Sequence, residues 1–211
     1  CPSPYNVPMF GMDLNELLFG LSYGAIPVVF AITMHEVAHG WAAKQLGDPT
    51  AFRLGRLSLN PIKHVDLMGT IVVPLGLALM TQGATTFGWA KPVPVVFQNL
   101  RDPKRGMVLV AAAGPGANLA MATAWTLLAM LMFAVGAVGS PLGDWLVLSS
   151  SVGIWFNILL MVFNLLPVPP LDGGRVLAGL LPQPASDVLA RIEPFGFIIV
   201  LVLVLGPWPL L

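Results

Sequence analysis

The chain has 211 residues, 56% hydrophobic and 9% charged, with ten basic side chains balanced by ten acidic ones. This composition excludes a water-soluble globular domain as the starting assumption, and the lack of any basic run excludes a nucleic-acid partner. The single cysteine, Cys1, allows no intrachain disulfide and no thiolate cage, so a bound metal would need His and carboxylate ligands.

Residues 1–11, CPSPYNVPMFG, have no apolar periodicity and precede Met12, which opens a stretch resembling a natural start. They read as a cloning remnant or a trimmed leader, leaving 12–211 as a single domain. A bilayer core of ~30 Å needs about 20 apolar residues in a helix. Four stretches meet or approach this: Leu17 to Ala43, Met107 to Gly136, Trp145 to Val168 and Ile192 to Leu211. A fifth, Leu67 to Thr81, is apolar but short and contains Gly69, Pro74 and Gly76.

Lys and Arg are retained on the cytoplasmic side of short loops. Lys44, Arg53, Arg56, Lys63, Lys91, Arg101, Lys104 and Arg105 lie between the first two clear spans, and Arg175 and Arg191 between the last two. The predicted topology therefore has four crossings, with residues 44–106 and 169–191 in the cytoplasm and both termini outside. A crossing at Leu67 to Thr81 would strand four of these cations outside. A re-entrant hairpin bent at Pro74 is expected instead, and such backbone survives at membrane depth only when shielded by protein or facing a wet cavity. The expected fold class is an all-α polytopic membrane protein, with about four transmembrane helices, this re-entrant hairpin and short extended or β segments on the cytoplasmic side.

The first span contains His35-Glu36-Val37-Ala38-His39. On a helix, residues four apart share a face, so both imidazoles can reach one ion with Glu36 beside them; this is the spacing of zinc hydrolases. A solvated polar turn at the interface is the alternative. The chain holds only three histidines, however, and ionisable groups inside a membrane are costly and usually functional. A hydrolytic zinc takes a third protein ligand, for which His64 and the carboxylates are candidates. Asp172 stands out among them: it lies in FNLLPVPPLDGG (163–174) at the cytoplasmic end of the third span, the same side to which the first span delivers the histidines. It reads either as that ligand or as the N-cap of a following helix.

HEVAH in an early span, NLLPVPPLDGG in a later one and GPGAN (114–118) between them resemble the site-2 protease family of intramembrane zinc metalloproteases, in its short prokaryotic branch without a PDZ domain. GRLSLNPIKHVD (55–66) and FGWAKPVPV (87–95) are similar to the same branch. The resemblance implies one Zn2+ per chain, held by His35, His39 and Asp172, with Glu36 as general base. It makes 12–211 an intramembrane metalloprotease domain with no room for a PDZ domain.

The function expected is hydrolysis of peptide bonds in or near transmembrane segments, as in regulated intramembrane proteolysis. The partners are transmembrane-helix protein substrates and the lipid bilayer of a prokaryotic cell membrane, with the site near its cytoplasmic side. A helical substrate must unwind, and AFRLGRLSL (51–59), WAKPVPVVF (89–97) or the stretch 164–170 could hold it by β-addition. Three further residues are candidate substrate contacts, each with a structural alternative. Asn164 donates to a substrate carbonyl or bonds carbonyls freed near the proline break; Asn118 does chemistry or joins helices; His64, with Asp66, gates substrate or shapes a loop. A membrane metal-binding protein or transporter without proteolysis is the alternative function, and Glu36 argues against it because metal transport has no need of a base between the histidines.

Overall fold

A computed structural model describes residues 14–80 and 88–205. The segment 1–11 and the end of the fourth expected span, 206–211, lie outside the described residues. The elements in order are α1 (Leu14–Leu46), α2 (Thr50–Arg53), a 3-10 turn (Pro61–His64), a π-helical run (Leu67–Val72) continued by α3 (Val73–Met80), a second 3-10 turn (Phe97–Asn99), α4 (Pro103–Ala134), α5 (Pro141–Asn164), α6 (Asp172–Leu180) and α7 (Gln183–Leu205).

Among the described residues, three stretches are long and apolar enough to cross a bilayer: Leu18–Leu46, Pro103–Ala134 and Pro141–Asn164. Their ends follow local chemistry. Asp102 and Ser140 accept from the backbone N–H three residues on, each followed by a proline whose missing donor costs nothing at the first helical position. α1 closes with Asp48 N–H on the Ala43 carbonyl and Gly47 N–H on that of Lys44, and Gly47 holds φ 118°, a conformation that disfavours any side chain.

α4 is central, packing against α1, α5 and α6, while α1 also meets α5. The buried contacts are small: Ala31, Ala111, Gly114, Ala122 and Gly153. Large side chains such as Leu18, Phe19, Leu127, Phe133, Trp155 and Val162 face outward. Small residues inside and bulky apolar ones outside suit helices associating in lipid, where close backbone approach replaces the hydrophobic drive. The bundle's interior is polar instead: Thr33, His35, Asn118, Ser149, Ser150 and Asn157 are all buried.

The fifth apolar stretch runs helically through Pro74, as six residues of π-helix and eight of α-helix. At ~1.5 Å per residue it reaches roughly 20 Å, short of a bilayer core. The helix therefore continues across Pro74 instead of turning back there as a hairpin, and residues 81–87 lie outside the described residues. The chain does come back: Trp89 N–H donates to the Gly69 carbonyl at 3.0 Å and the Thr70 hydroxyl to the Trp89 carbonyl at 3.0 Å.

No strand forms among the described residues. Residues 88–96 are an irregular strap rather than the expected β segment, because Pro92 and Pro94 remove alternate N–H donors and with them one edge of any ladder. The strap is fixed by other means. Lys91 N–H donates to the His64 carbonyl at 2.8 Å, Arg56 donates to the Lys91 carbonyl at 2.9 Å, and Val96 N–H donates to Asp48 at 2.7 Å. Residues 51–53 are helical, so the segment 51–59 is extended only in its latter part.

Candidate metal centre

His35 and His39 lie one turn apart on α1, with ring planes at 87° and Nε2 atoms 3.0 Å apart. Their other ring nitrogens are engaged by α4: His35 Nδ1 lies 2.6 Å from Asn118 Oδ1, and His39 Nδ1 lies 2.7 Å from the Val110 carbonyl. α4 can come this close because residue 114 is glycine. A Cβ there would sit 2.4 Å from His39 Nε2 and 2.6 Å from His35 Cε1.

Asp172 is delivered by the turn after α5. Gly173 and Gly174 lie against that turn, where a Cβ would fall 2.2 Å from the Leu165 carbonyl oxygen and 2.4 Å from the Pro169 nitrogen respectively. The double glycine therefore lets the chain fold back and start α6 at Asp172. The cap alternative is corrected here: α6 begins at Asp172 itself after Leu171, and no side chain caps it. The carboxylate points at the histidines, with Oδ2 at 3.2 Å from His35 Nε2 and 3.3 Å from His39 Nε2.

These residues fit a metal. A carbonyl only accepts, so His39 carries its proton on Nδ1 and presents a lone pair at Nε2. Asp172 Oδ2 is buried without a hydrogen-bond partner beside it. Lone pairs and negative charge crowded together repel unless a cation sits among them, and the three side chains form a group that could hold one. A zinc site is completed by partners that orient the ligands, and both imidazoles have theirs.

Glu36, between the histidines in sequence, is half-buried and accepts from Val93 N–H of the strap at 2.8 Å. Asn118 is fully buried, its oxygen on His35 and its nitrogen on Asn157 Oδ1 at 2.9 Å. Asn164 donates to the Leu160 carbonyl one turn back, at 2.9 Å. His64 stands outside the metal group, buried in its loop, with Nε2 at 2.9 Å from the Ser58 carbonyl. Asp66 does not pair with it but accepts from Gly69 N–H at the start of the π-helical run. Asp48, just after α1, is fully buried and ties the strap to the end of that helix through Thr50, Val96 and Asn99. The only signal for it in the sequence is GDPT, an acid and a threonine set to form a turn directly after a helix.

Comparison with known proteins places the chain among named families. The model of Peptidase family M50 matches residues 143–206, the part that carries Asp172. A protein of Bacillus subtilis named "Putative zinc metalloprotease YwhC" is 39% identical over 202 residues, covering 90% of this chain and 86% of the relative. Two proteins named "Putative zinc metalloprotease Rip2" extend the similarity. The one from Mycolicibacterium smegmatis is 30% identical over 85% of this chain and 65% of its own length, and the one from Mycobacterium tuberculosis H37Rv is 29% identical over 98% and 81%. No solved structure matches the chain. Zinc is thus the metal of these relatives' names, and a helical membrane scaffold with two histidines and an aspartate drawn together is what this chain supplies for it. The chain belongs to peptidase family M50, the site-2 protease family of membrane zinc metalloproteases.

Proposed function

We propose that the protein is an intramembrane zinc endopeptidase that hydrolyses peptide bonds in or near transmembrane segments of other membrane proteins, as in regulated intramembrane proteolysis. One observation carries the reading: the His35, His39 and Asp172 ligand atoms converge beside Glu36 among helices of spanning length. His35, His39 and Asp172 hold one Zn2+, which when bound supplies Lewis-acid polarisation of the scissile carbonyl and acidification of water. Glu36 is the general base. Val93 N–H anchors its Oε2, which leaves Oε1 to take the proton of the attacking water and return it to the leaving amine.

The orientation rests on charge. Lys and Arg cluster in 44–105 and at 175 and 191, so those loops face the cytoplasm and the site lies near that side of the cell membrane. The apolar part of α7, from Ile192, is the fourth crossing. The bonds from Trp89 and Thr70 support re-entry of the Leu67–Met80 helix, since the excursion starts and ends at one place. A helical substrate satisfies its own peptide groups and must unwind before attack. The strap at 88–96, tied to Glu36 through Val93, is the segment beside which the unwound chain would lie during attack.

Cleavage of tagged single-span proteins in liposomes tests this. Glu36→Gln should keep zinc and lose cleavage by ~10²–10⁴-fold, the usual scale of a general base. Wild-type cleavage by that variant would end the proposal. Zinc flux across the liposome without proteolysis would establish the transporter instead.

A further inference from the structure

The two histidines obtain their orientation in different ways. His39 faces a backbone carbonyl, which can only accept, so its tautomer is settled locally. His35 faces an amide, and an amide can turn over to present either an acceptor or a donor. If Asn118 turned its NH2 to the ring, the ring proton would move to Nε2 and point into the ligand cluster.

Two carbonyls on other helices prevent that. Asn157 Nδ2 lies 2.8 Å from the Gly153 carbonyl, which only accepts, so Asn157 must present its oxygen to α4. Asn118 answers with Nδ2, at 2.9 Å from that oxygen and 3.4 Å from the Ala31 carbonyl, which leaves its own Oδ1 for His35. Turning Asn118 over would set its oxygen against two acceptors in a fully buried position. An unmatched polar group there has no water to rescue it.

We infer that Asn157 and Asn118 are positioning residues of the metal centre: running from the Gly153 carbonyl on α5 through α4 to α1, they lock His35 as the Nδ1–H tautomer with its Nε2 lone pair towards the ion. The inference rests on His35 being a zinc ligand, as proposed above. It assigns both asparagines a directional task, beyond joining helices and apart from contact with substrate.

The test reads tautomer and metal affinity in the full chain in lipid bilayers. With only three histidines, the 15N-histidine spectrum can be assigned by comparison with His64→Gln and His39→Gln. In the zinc-loaded wild type, His35 should carry its proton on Nδ1; a proton on Nε2 would overturn the inference whether or not any variant folds. Asn118→Leu should weaken zinc binding by ~10–100-fold in chelator competition, the usual scale for losing a ligand's orienting partner. Asn157→Leu should act in the same direction and less strongly, and both should shift the zinc-free His35 ring towards Nε2–H. Asn118→Asp, protonated in its buried site, can still accept from the ring and donate to Asn157, and should retain affinity within a few-fold. Asn157→Asp, protonated in its apolar site, can still donate to Gly153 and accept from Asn118, and should behave as wild type. Leucine variants that fold and bind zinc as tightly as wild type would refute the relay. A wild type that binds no zinc would refute the metal-centre reading instead, and the zinc-free tautomer would still judge the relay.

Discussion

The helical cradle and the strap reach the same site by opposite means. In the cradle, His35, His39 and Asp172 sit on helices, and the groups orienting the histidines are backbone or amides on neighbouring helices, so the ligand set is as rigid as the bundle. The strap at 88–96 has no ladder of its own and is held by isolated bonds to scattered partners: Gly69, Thr70, His64, Arg56, Glu36 and Asp48. Glu36 belongs to both, rising from α1 but anchored by Val93. The contrast suggests that metal affinity is a property of the cradle and catalytic competence a property of the strap.

The largest effects should come from the ligands. His35→Ala, His39→Ala and Asp172→Ala should each lower zinc content from near one per chain to a small residue by elemental analysis; full retention by the Asp172 variant would remove it from the ligand set. Gly114→Ala attacks the same group from behind. Its methyl would enter the space of both imidazoles, and relief by shifting α4 should cost about 1–3 kcal/mol and weaken zinc binding. An alanine variant with unchanged affinity and melting temperature would mean that α4 is not rigid here, and the cradle would lose its distinction from the strap.

Val93→Pro removes the one N–H that Glu36 Oε2 accepts, between two existing prolines. Zinc content should not change, while cleavage should fall on the order of tenfold through misplacement of the base. If zinc and cleavage fell together, the division between cradle and strap would be wrong.

How much of this could be read from the sequence depended on the range of the interaction. The spacing of His35 and His39 is a local fact of helix geometry, and so was plain. Asp172 is far away in sequence, but the distribution of Lys and Arg restricts it to one membrane face, and that sufficed to bring it to the histidines. The asparagines could be seen as polar residues in oily helices. Their partners could not, because the depth and rotation at which α1, α4 and α5 meet are set by small-residue packing with no periodic signature. The expected β character of 89–97 failed for a legible reason, the alternate prolines at 92 and 94. Residues 67–80 are helical on both sides of Pro74, where the sequence predicts a hairpin turn, and the π-helical run before the proline is a local hydrogen-bond arrangement with no signature in the sequence.

Asp48 is where the strap is most exposed to a change of conditions. Burial pushes its carboxyl towards the neutral form, but donors from Thr50, Val96 and Asn99 outweigh that and lower its pKa below the usual carboxylate value. A carboxyl with a depressed folded-state pKa binds fewer protons folded than unfolded, so it stabilises the protein above the unfolded value of about 4 and loses that contribution as pH falls through the folded one. The strap should therefore loosen under acid before the bundle does. Protection of the Val96 amide, taken against its intrinsic exchange rate at each pH, should fall below about pH 4 while the amides of α4 stay protected. Asp48→Asn, which keeps an acceptor but loses the charge, should flatten that pH dependence and leave zinc content unchanged. Acid exchange at Val96 as steep in the variant as in wild type would assign the loosening to another group.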